Sequence, residues 1–167
     1  MTENKNNVNN TDLLSQVSDM PLDIMGLFFF AYRDFVSDAD ALLKTKNFGR
    51  AHHRVLYFVN IRPGMSVATL LSILKITKQS LARVLRQLID SGYIEQKTDD
   101  IDRRKRLLFA TKKGESFFKT LSLSQTKRIK NALQKLPEEN RDIIAKFLKL
   151  MVNEDEQATL EKLKLKP

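Results

Sequence analysis

Residues 66–111 read SVATLLSILKITKQSLARVLRQLIDSGYIEQKTDDIDRRKRLLFAT, and this segment carries the strongest structural signal in the chain. A short apolar helix is predicted from Ser66 to Leu74, followed by a turn at Lys75-Ile76. The next helix begins at Thr77 and ends at Ser91-Gly92, where glycine suits the left-handed conformation that ends many helices. This order of helix, turn and capped helix predicts a helix-turn-helix.

A β-hairpin is predicted directly after the second of these helices. Tyr93–Thr98 reads as one strand, Asp99–Arg104 as a charged loop and Lys105–Thr111 as the returning strand. Few Gly and Pro residues occur elsewhere, which favours helices for the remainder. The predicted fold is mainly α with a small β-hairpin wing.

The helix that begins at Thr77 has an apolar stripe and an opposite polar face. An α-helix fits the major groove of DNA, and its first turns usually reach the base edges. The candidate contacts are Thr77, Lys78, Gln79, Ser80, Arg83, Arg86 and Gln87. Arg83 is the best candidate for a bidentate contact with guanine or phosphate. The alternative is an ordinary amphipathic helix whose charged face is only solvated.

Four consecutive basic residues lie at or beside the hairpin tip. Arginines at such a tip can enter the minor groove, where the negative potential attracts them. The candidate wing contacts are Arg103, Arg104, Lys105 and Arg106. Asp102 is expected to orient Arg104 through an ion pair, and the alternative is a solvated charged turn.

The positive charge of the chain is concentrated around this segment. The net charge is +9, yet residues 46–113 alone hold 15 Lys and Arg against 5 Asp and Glu. The remainder is therefore close to neutral. A concentrated basic block is typical of a protein that binds a polyanion, and double-stranded DNA is the leading candidate.

Long apolar helices are predicted on both sides of the basic block, at 21–44, 113–136 and 138–153. The first is apolar over so much of its circumference that a monomer would expose a large hydrophobic patch. A homodimer is therefore expected, with two half-sites about 10 bp apart in a pseudo-palindromic operator. The alternative is that these helices bury one another within one chain.

Several classes of protein are disfavoured by what the chain lacks. There is no Cys, and the two His are adjacent, so no metal and no cofactor are expected. No nucleophile motif or phosphate loop occurs, which argues against an enzyme. The N-terminus has no secretory signal, and the apolar run Ile24–Tyr32 is too short to span a bilayer. We expect a cytoplasmic protein that does not bind membranes.

The sequence resembles the multiple-antibiotic-resistance-regulator (MarR) family of bacterial transcription factors. The family's wing carries an Asp-x-Arg segment followed by Thr-x-x-Gly, and Asp102, Arg104, Thr111 and Gly114 occupy those places. Further matching residues are Leu70–Leu74, Thr77–Leu88 and Ser91–Ile94. The resemblance implies a winged helix-turn-helix whose N- and C-terminal helices form a homodimer.

The domain organisation follows from the resemblance and the predicted elements. Residues 1–19 are expected to be a flexible tail, and 20–154 a winged helix-turn-helix domain. Within it, 46–113 would be the DNA-binding lobe, and 21–45 and 114–153 the dimerisation helices. Residues 155–167 are assigned to a C-terminal tail.

A small aromatic or anionic effector is the remaining expectation. Aromatic walls with one cation and one His would suit an aromatic carboxylate. The candidate residues are Phe28, Tyr32, His53, Arg54 and Tyr57, although an aromatic stripe at helical spacing also suits a core. The predicted function is a DNA-binding transcriptional regulator, a repressor released by an effector. The alternative is a non-enzymatic helical adaptor that binds an acidic partner through the basic block.

Overall fold

The computed structural model describes residues 21–163, and all structural statements below concern this part of the chain. The predicted tail at 1–19 lies outside the described residues. No described helix is long and apolar enough to cross a membrane.

Seven helices and three strands follow one another along the described chain. The helices are α1 (Leu22–Lys44), α2 (Arg50–Ile61), α3 (Val67–Leu74), α4 (Lys78–Asp90), α5 (Lys112–Leu133), α6 (Asn140–Leu150) and α7 (Glu154–Lys162). The strands are β1 (Met65–Ser66), β2 (Ile94–Thr98) and β3 (Arg106–Ala110). The prediction of a mainly α fold with a small β-hairpin is confirmed.

The chain divides into two compact units, one ending at Phe35 and the other beginning at Val36. The boundary falls within α1. The first unit, where described, carries a run of exposed apolar side chains, which are Leu22, Ile24, Met25, Leu27, Phe28, Phe29, Phe30 and Tyr32.

The second unit has a continuous apolar core beneath the helix-turn-helix. The apolar stripe predicted on α4 points inward, and Leu81, Val84, Leu85 and Leu88 are all buried. They pack with side chains from α2, α3, the sheet and α5, which include Val55, Leu56, Val59, Leu70, Leu74, Ile94, Leu108 and Leu121. Burying such side chains stabilises a fold by about 1.5–3 kcal/mol each. The core thereby fixes which face of α4 points outward.

The sheet has one strand more than the sequence predicts. β3 lies in the centre and pairs antiparallel with both β1 and β2. Met65 is opposite Leu108, and Gln96 is opposite Leu108 on the other side. A two-residue strand is too short to show the period-2 pattern on which sequence prediction depends. Ser66 also caps α3, because its hydroxyl oxygen accepts from the Thr69 N–H at 3.0 Å.

The described part of the segment assigned to the C-terminal tail is mostly helical, since α7 covers Glu154–Lys162. Three acidic residues occupy the first turn of α7, where the helix dipole favours negative charge. Residues 164–167 lie outside the described part.

The helix α7 attaches the C-terminal region to the helix-turn-helix. Lys75, in the turn before α4, lies 3.6 Å from Asp155 and also pairs with Glu156. The hydrogen bond that the Lys75 ammonium donates to the Glu156 carboxylate raises the pKa of Lys75, and the charge of Asp155 raises it further. Leu163 packs against the apolar core. Between α6 and α7, the Gln157 amide donates to the Lys149 carbonyl at 2.9 Å and to the Val152 carbonyl at 3.0 Å.

Candidate nucleic-acid interface

The turn between α3 and α4 sets the start of the candidate recognition helix. Lys75 has φ 49° and ψ 44°, the left-handed conformation that ends α3. Thr77 then caps α4, since its hydroxyl oxygen accepts from the Ser80 N–H at 3.1 Å. The Thr77 hydroxyl also donates to the Ser80 hydroxyl at 2.9 Å. Both predicted contacts therefore have a role in capping the helix.

Four of the predicted contacts on α4 are exposed and have no side-chain partner within the described residues. They are Lys78, Gln79, Arg83 and Arg86. Arg83 lies one turn after Gln79 on the same outward face, opposite the buried Leu81 and Leu85. Long polar side chains without an internal partner keep their full hydrogen-bonding capacity for an external ligand.

Gln87, the last predicted contact on α4, differs from these four. Its amide oxygen lies 2.7 Å from Nε2 of His52, a buried residue in the first turn of α2. The sequence analysis did not assign His52 a role. Its helical spacing with the buried Val55, Leu56 and Val59 is the signal that places it inward.

The wing is the hairpin formed by β2 and β3 and the loop between them. Their register runs from Ile94 opposite Ala110 to Thr98 opposite Arg106. At the tip, the Asp99 carboxylate accepts from the N–H groups of Ile101 at 2.8 Å and Asp102 at 2.9 Å. Those two hydrogen bonds lower the pKa of Asp99, and the one from the Asp102 N–H has the larger effect. The tip therefore has a defined turn.

The four predicted wing cations are all exposed, but they differ in their partners. Arg106 donates to the Thr98 hydroxyl across the hairpin. Lys105 pairs with Asp102 at 3.8 Å. The side chains of Arg103 and Arg104 have no recorded partner in the described chain, so they are the cations best able to reach outward.

Asp102 contacts Arg104 in a way that differs from the expected ion pair. Its carboxylate accepts from the backbone N–H of Arg104 at 3.1 Å, while its ion pair is formed with Lys105. The backbone contact shapes the turn and leaves the Arg104 guanidinium unpaired. The structure thus corrects the expected ion pair, and any orienting effect of Asp102 acts through the main chain.

The base of the wing is tied to the end of α4. The Thr111 hydroxyl donates to the Gly92 carbonyl at 2.7 Å and accepts from the Gly114 N–H at 3.1 Å. Lys113 donates to the Ser91 carbonyl at 2.7 Å, with its ammonium 4.4 Å from the centre of the Tyr93 ring. Gly92 has φ 72°, as the predicted helix end requires. The Thr-x-x-Gly segment therefore joins the wing, the recognition helix and the start of α5.

The predicted effector residues fall in both compact units. Phe28 and Tyr32 belong to the first unit, and His53, Arg54 and Tyr57 to the second. Burial lowers the pKa of His53, and the charge of Asp40 partly opposes this. Arg54 donates to the Leu74 carbonyl at 3.1 Å, and Tyr57 packs edge-on against Phe58 and Phe118. The effector site stays a prediction.

One cavity of the second unit includes Arg54 but not His53 or Tyr57. Its volume is about 420 Å³, and it lies between the α2–α3 region and the α6–α7 region. The cavity is not predictable from the sequence, because α7 forms one of its walls. Its apolar lining includes Phe58, Met151 and Leu160, with Lys75 and Glu156 as charged members.

This arrangement of a capped recognition helix and a cationic wing, joined at one base, defines a winged helix-turn-helix protein. Residues 46–105 match the model of the MarR family. The HTH-type transcriptional regulator PetP of Rhodobacter capsulatus is 48% identical over 104 residues, which are 62% of this chain and 63% of that protein. The chain therefore resembles the MarR family over this segment. It thus spans less than two thirds of PetP.

Solved structures share the fold over most of the chain. The crystal structure of MarR is 25% identical, covers 86% of this chain and 95% of its own, and has a TM-score of 0.60. FabT of Streptococcus pneumoniae, solved in complex with DNA, is 19% identical, covers 85% and 98% respectively, and has a TM-score of 0.67.

Proposed function

We propose that this protein is a transcriptional regulator that binds double-stranded DNA sequence-specifically as a homodimer. The observation that carries this proposal is the combination of Arg83 on α4 with Arg103 and Arg104 on the wing. All three are exposed and have no side-chain partner in the described chain. Unpaired cations on two rigid elements joined at one base suit simultaneous contact with a major and a minor groove.

The recognition helix supplies the base-reading groups in this proposal. Lys78, Gln79 and Arg83 lie in its first two turns, the part that usually reaches base edges. Arg83 contacts guanine in a bidentate manner or grips phosphate. Arg104 and Arg103 enter the minor groove, where a narrow A/T-rich segment has the most negative potential.

The homodimer supplies the second half-site. Helix α6 exposes the large apolar side chains of Ile143, Phe147, Leu148 and Leu150, and the exposed Met151 follows directly after it. A two-fold axis buries the same patch on both protomers. It also sets two recognition helices about one helical turn of DNA apart, which matches a pseudo-palindromic operator.

Release by a small aromatic or anionic effector is the second part of the proposal. His53, Arg54 and Tyr57 follow one another on α2, close in sequence to the His52–Gln87 contact. A panel of aromatic carboxylates beginning with benzoate tests this part. At least one compound is expected to weaken operator binding by the wild type and not by Arg54→Ala. If no carboxylate changes DNA affinity, release by this class of effector is wrong.

Selection of duplexes from a random library tests the proposed function. The wild-type protein is expected to enrich a two-fold symmetric consensus. Arg83→Ala is expected to weaken binding to that consensus by about 1–3 kcal/mol and to relax the preference at one position in each half-site. If matched and mismatched sites lose affinity equally, Arg83 is only a phosphate contact.

An adaptor for acidic proteins would give a different result from the same library. It would bind duplexes through the basic block in a salt-dependent manner, yet it would enrich no consensus. Arg141→Ala on α6 is the matched control for Arg83→Ala. It also removes one exposed Arg, but from a position far along the chain from α4 and the wing.

A further inference from the structure

His52 is the one buried polar residue among the described residues, with 8% of its surface exposed. It lies in the first turn of α2, and its ring forms a hydrogen bond with the side chain of Gln87 on α4. A buried imidazole is stabilised only if both ring nitrogens have hydrogen-bonding partners. Those partners determine which nitrogen carries the proton.

The backbone of Gly49 decides the tautomer. Its N–H donates to Nδ1 of His52 at a distance of 3.1 Å between the nitrogens. A nitrogen that accepts has no proton of its own, so the neutral ring carries its proton on Nε2. Nε2 must then donate, and the atom 2.7 Å away is the amide oxygen of Gln87.

Stacking holds the imidazole in place. The Phe48 ring lies 4.6 Å from the His52 ring at an interplanar angle of 12°. Phe48 in turn contacts Tyr93 at 5.4 Å and Phe117 at 6.3 Å, both edge-on. The ring plane is thus fixed by residues from the start of the wing and from α5.

The consequence concerns the other end of the Gln87 amide. With its oxygen held by His52, the NH₂ group points away from the ring, and no hydrogen bond of that nitrogen is recorded among residues 21–163. An NH₂ group can only donate. It suits an acceptor such as a phosphate oxygen, guanine O6 or N7, or thymine O4.

We propose that His52 is a positioning residue that fixes the Gln87 amide as a hydrogen-bond donor toward DNA. The inference rests on the proposed function and adds to it the chemistry of one contact. His52 itself does not touch DNA in this arrangement. It acts through Gln87 alone.

A double-mutant cycle in the full-length protein tests the inference. Gln87→Met keeps the length of the side chain and removes its donor, and His52→Phe keeps the stacked ring and removes the hydrogen bond to Gln87. Each single variant is expected to lower affinity for the selected duplex about fivefold, the size of one hydrogen bond. The double variant is expected to bind no more weakly than the weaker single variant, because both changes remove the same contact.

Two spectroscopic and chemical readouts separate positioning from simple support of the fold. Nitrogen-15 NMR of the free protein is expected to show His52 with its proton on Nε2. Methylphosphonate substitution in the duplex, one phosphate at a time, distinguishes the acceptor. If Gln87 contacts a phosphate, methylphosphonate at one position lowers the DNA affinity of the wild type but not that of Gln87→Met. If Gln87 contacts a base, Gln87→Met instead has a relaxed base preference.

Three results would overturn the inference. They are wild-type affinity in Gln87→Met, additive losses in the double variant, and a proton on Nδ1 of His52. His52→Phe could unfold the core, and thermal unfolding would reveal this. Gln87→Met and the protonated nitrogen of His52 in the wild type then decide together. If the wild type itself enriches no duplex, the proposed function fails, and this result differs from specific wild-type binding with an unaffected Gln87→Met.

Discussion

Gly114 lies so close to the backbone of Tyr93 that a Cβ on it would fall 2.0 Å from the Tyr93 carbonyl oxygen. The same carbonyl accepts from the Thr111 N–H at 3.1 Å. The first turn of α5 therefore rests directly on the backbone between the recognition helix and the wing. This close approach is the physical reason for a glycine three residues after the capping threonine.

Gly114→Ala is expected to destabilise the protein by about 3 kcal/mol, at the upper end of what overpacking costs, because the obstructing atom is backbone and cannot rotate away. Chemical denaturation measures the change. Gly26→Ala is the control, since a Cβ at Gly26 meets nothing within 4 Å and lies inside a helix. Equal stability of Gly114→Ala and the control would contradict the close packing.

Arg104→Ala is expected to weaken binding to the selected duplex and to reduce the preference for A/T-rich flanks, because the guanidinium is the part of the wing that reads minor-groove potential. Fluorescence anisotropy with duplexes that differ only in the flanks measures both effects. Arg141→Ala is the matched control, since it removes an exposed Arg that lies outside both α4 and the wing. Unchanged affinity and flank preference in Arg104→Ala would remove the wing from the interface.

Asp99 is expected to titrate below its ordinary value of 3.8, because two backbone N–H groups favour its charged form. A lowered pKa means that the turn is stabilised above pH 3.8, and this stabilisation is lost as the pH falls through the folded value. The carboxyl carbon-13 shift of Asp99 reports the midpoint. The amide chemical shifts of Ile101 and Asp102 should change with pH along the titration curve of Asp99. This pH dependence should be absent in Asp99→Ala. A midpoint at or above 3.8 would contradict the turn.

Phe147→Asp is expected to dissociate the proposed homodimer. Burial of a Phe contributes about 1.5–3 kcal/mol, and a two-fold interface uses the residue twice, so the dissociation constant should rise about 100-fold or more. Sedimentation velocity measures it. Lys146→Glu alters the charge of the neighbouring exposed position and should leave the dimer intact. A monomeric wild-type protein would show that this apolar surface has another role.

The fold was largely predictable because its signals are local. Ser66 and Thr77 cap helices, Gly92 ends one, and the stripe of Leu81, Val84, Leu85 and Leu88 has an unambiguous period. These features depend on residues within a few positions of one another.

The parts that escaped prediction depend on distant residues. The strand β1 exists only through pairing with Leu107 and Leu108, more than 40 positions away. Helix α7 is attached through Lys75, about 80 positions earlier. The contact between His52 and Gln87 joins residues 35 positions apart. Spacing within one helix carries no information about such partners.

The sequence predicts which residues form the candidate site. It does not predict the contacts that each of them makes. Polar residues opposite an apolar stripe identify the outward face of α4, yet they do not show that Thr77 and Ser80 bond to each other. Likewise, the run of four basic residues identifies the wing cations. Only the geometry shows that Arg106 is held by Thr98 while Arg103 and Arg104 are not.

The central claim is that paired recognition helices and wings read a DNA sequence. It is tested most directly by comparing the affinity for the selected duplex with that for a scrambled duplex of equal length and composition, at several salt concentrations. The wild type is expected to prefer the selected duplex by about 10³-fold or more at physiological salt, with both affinities falling as salt rises. Equal affinity for the two duplexes would contradict the claim.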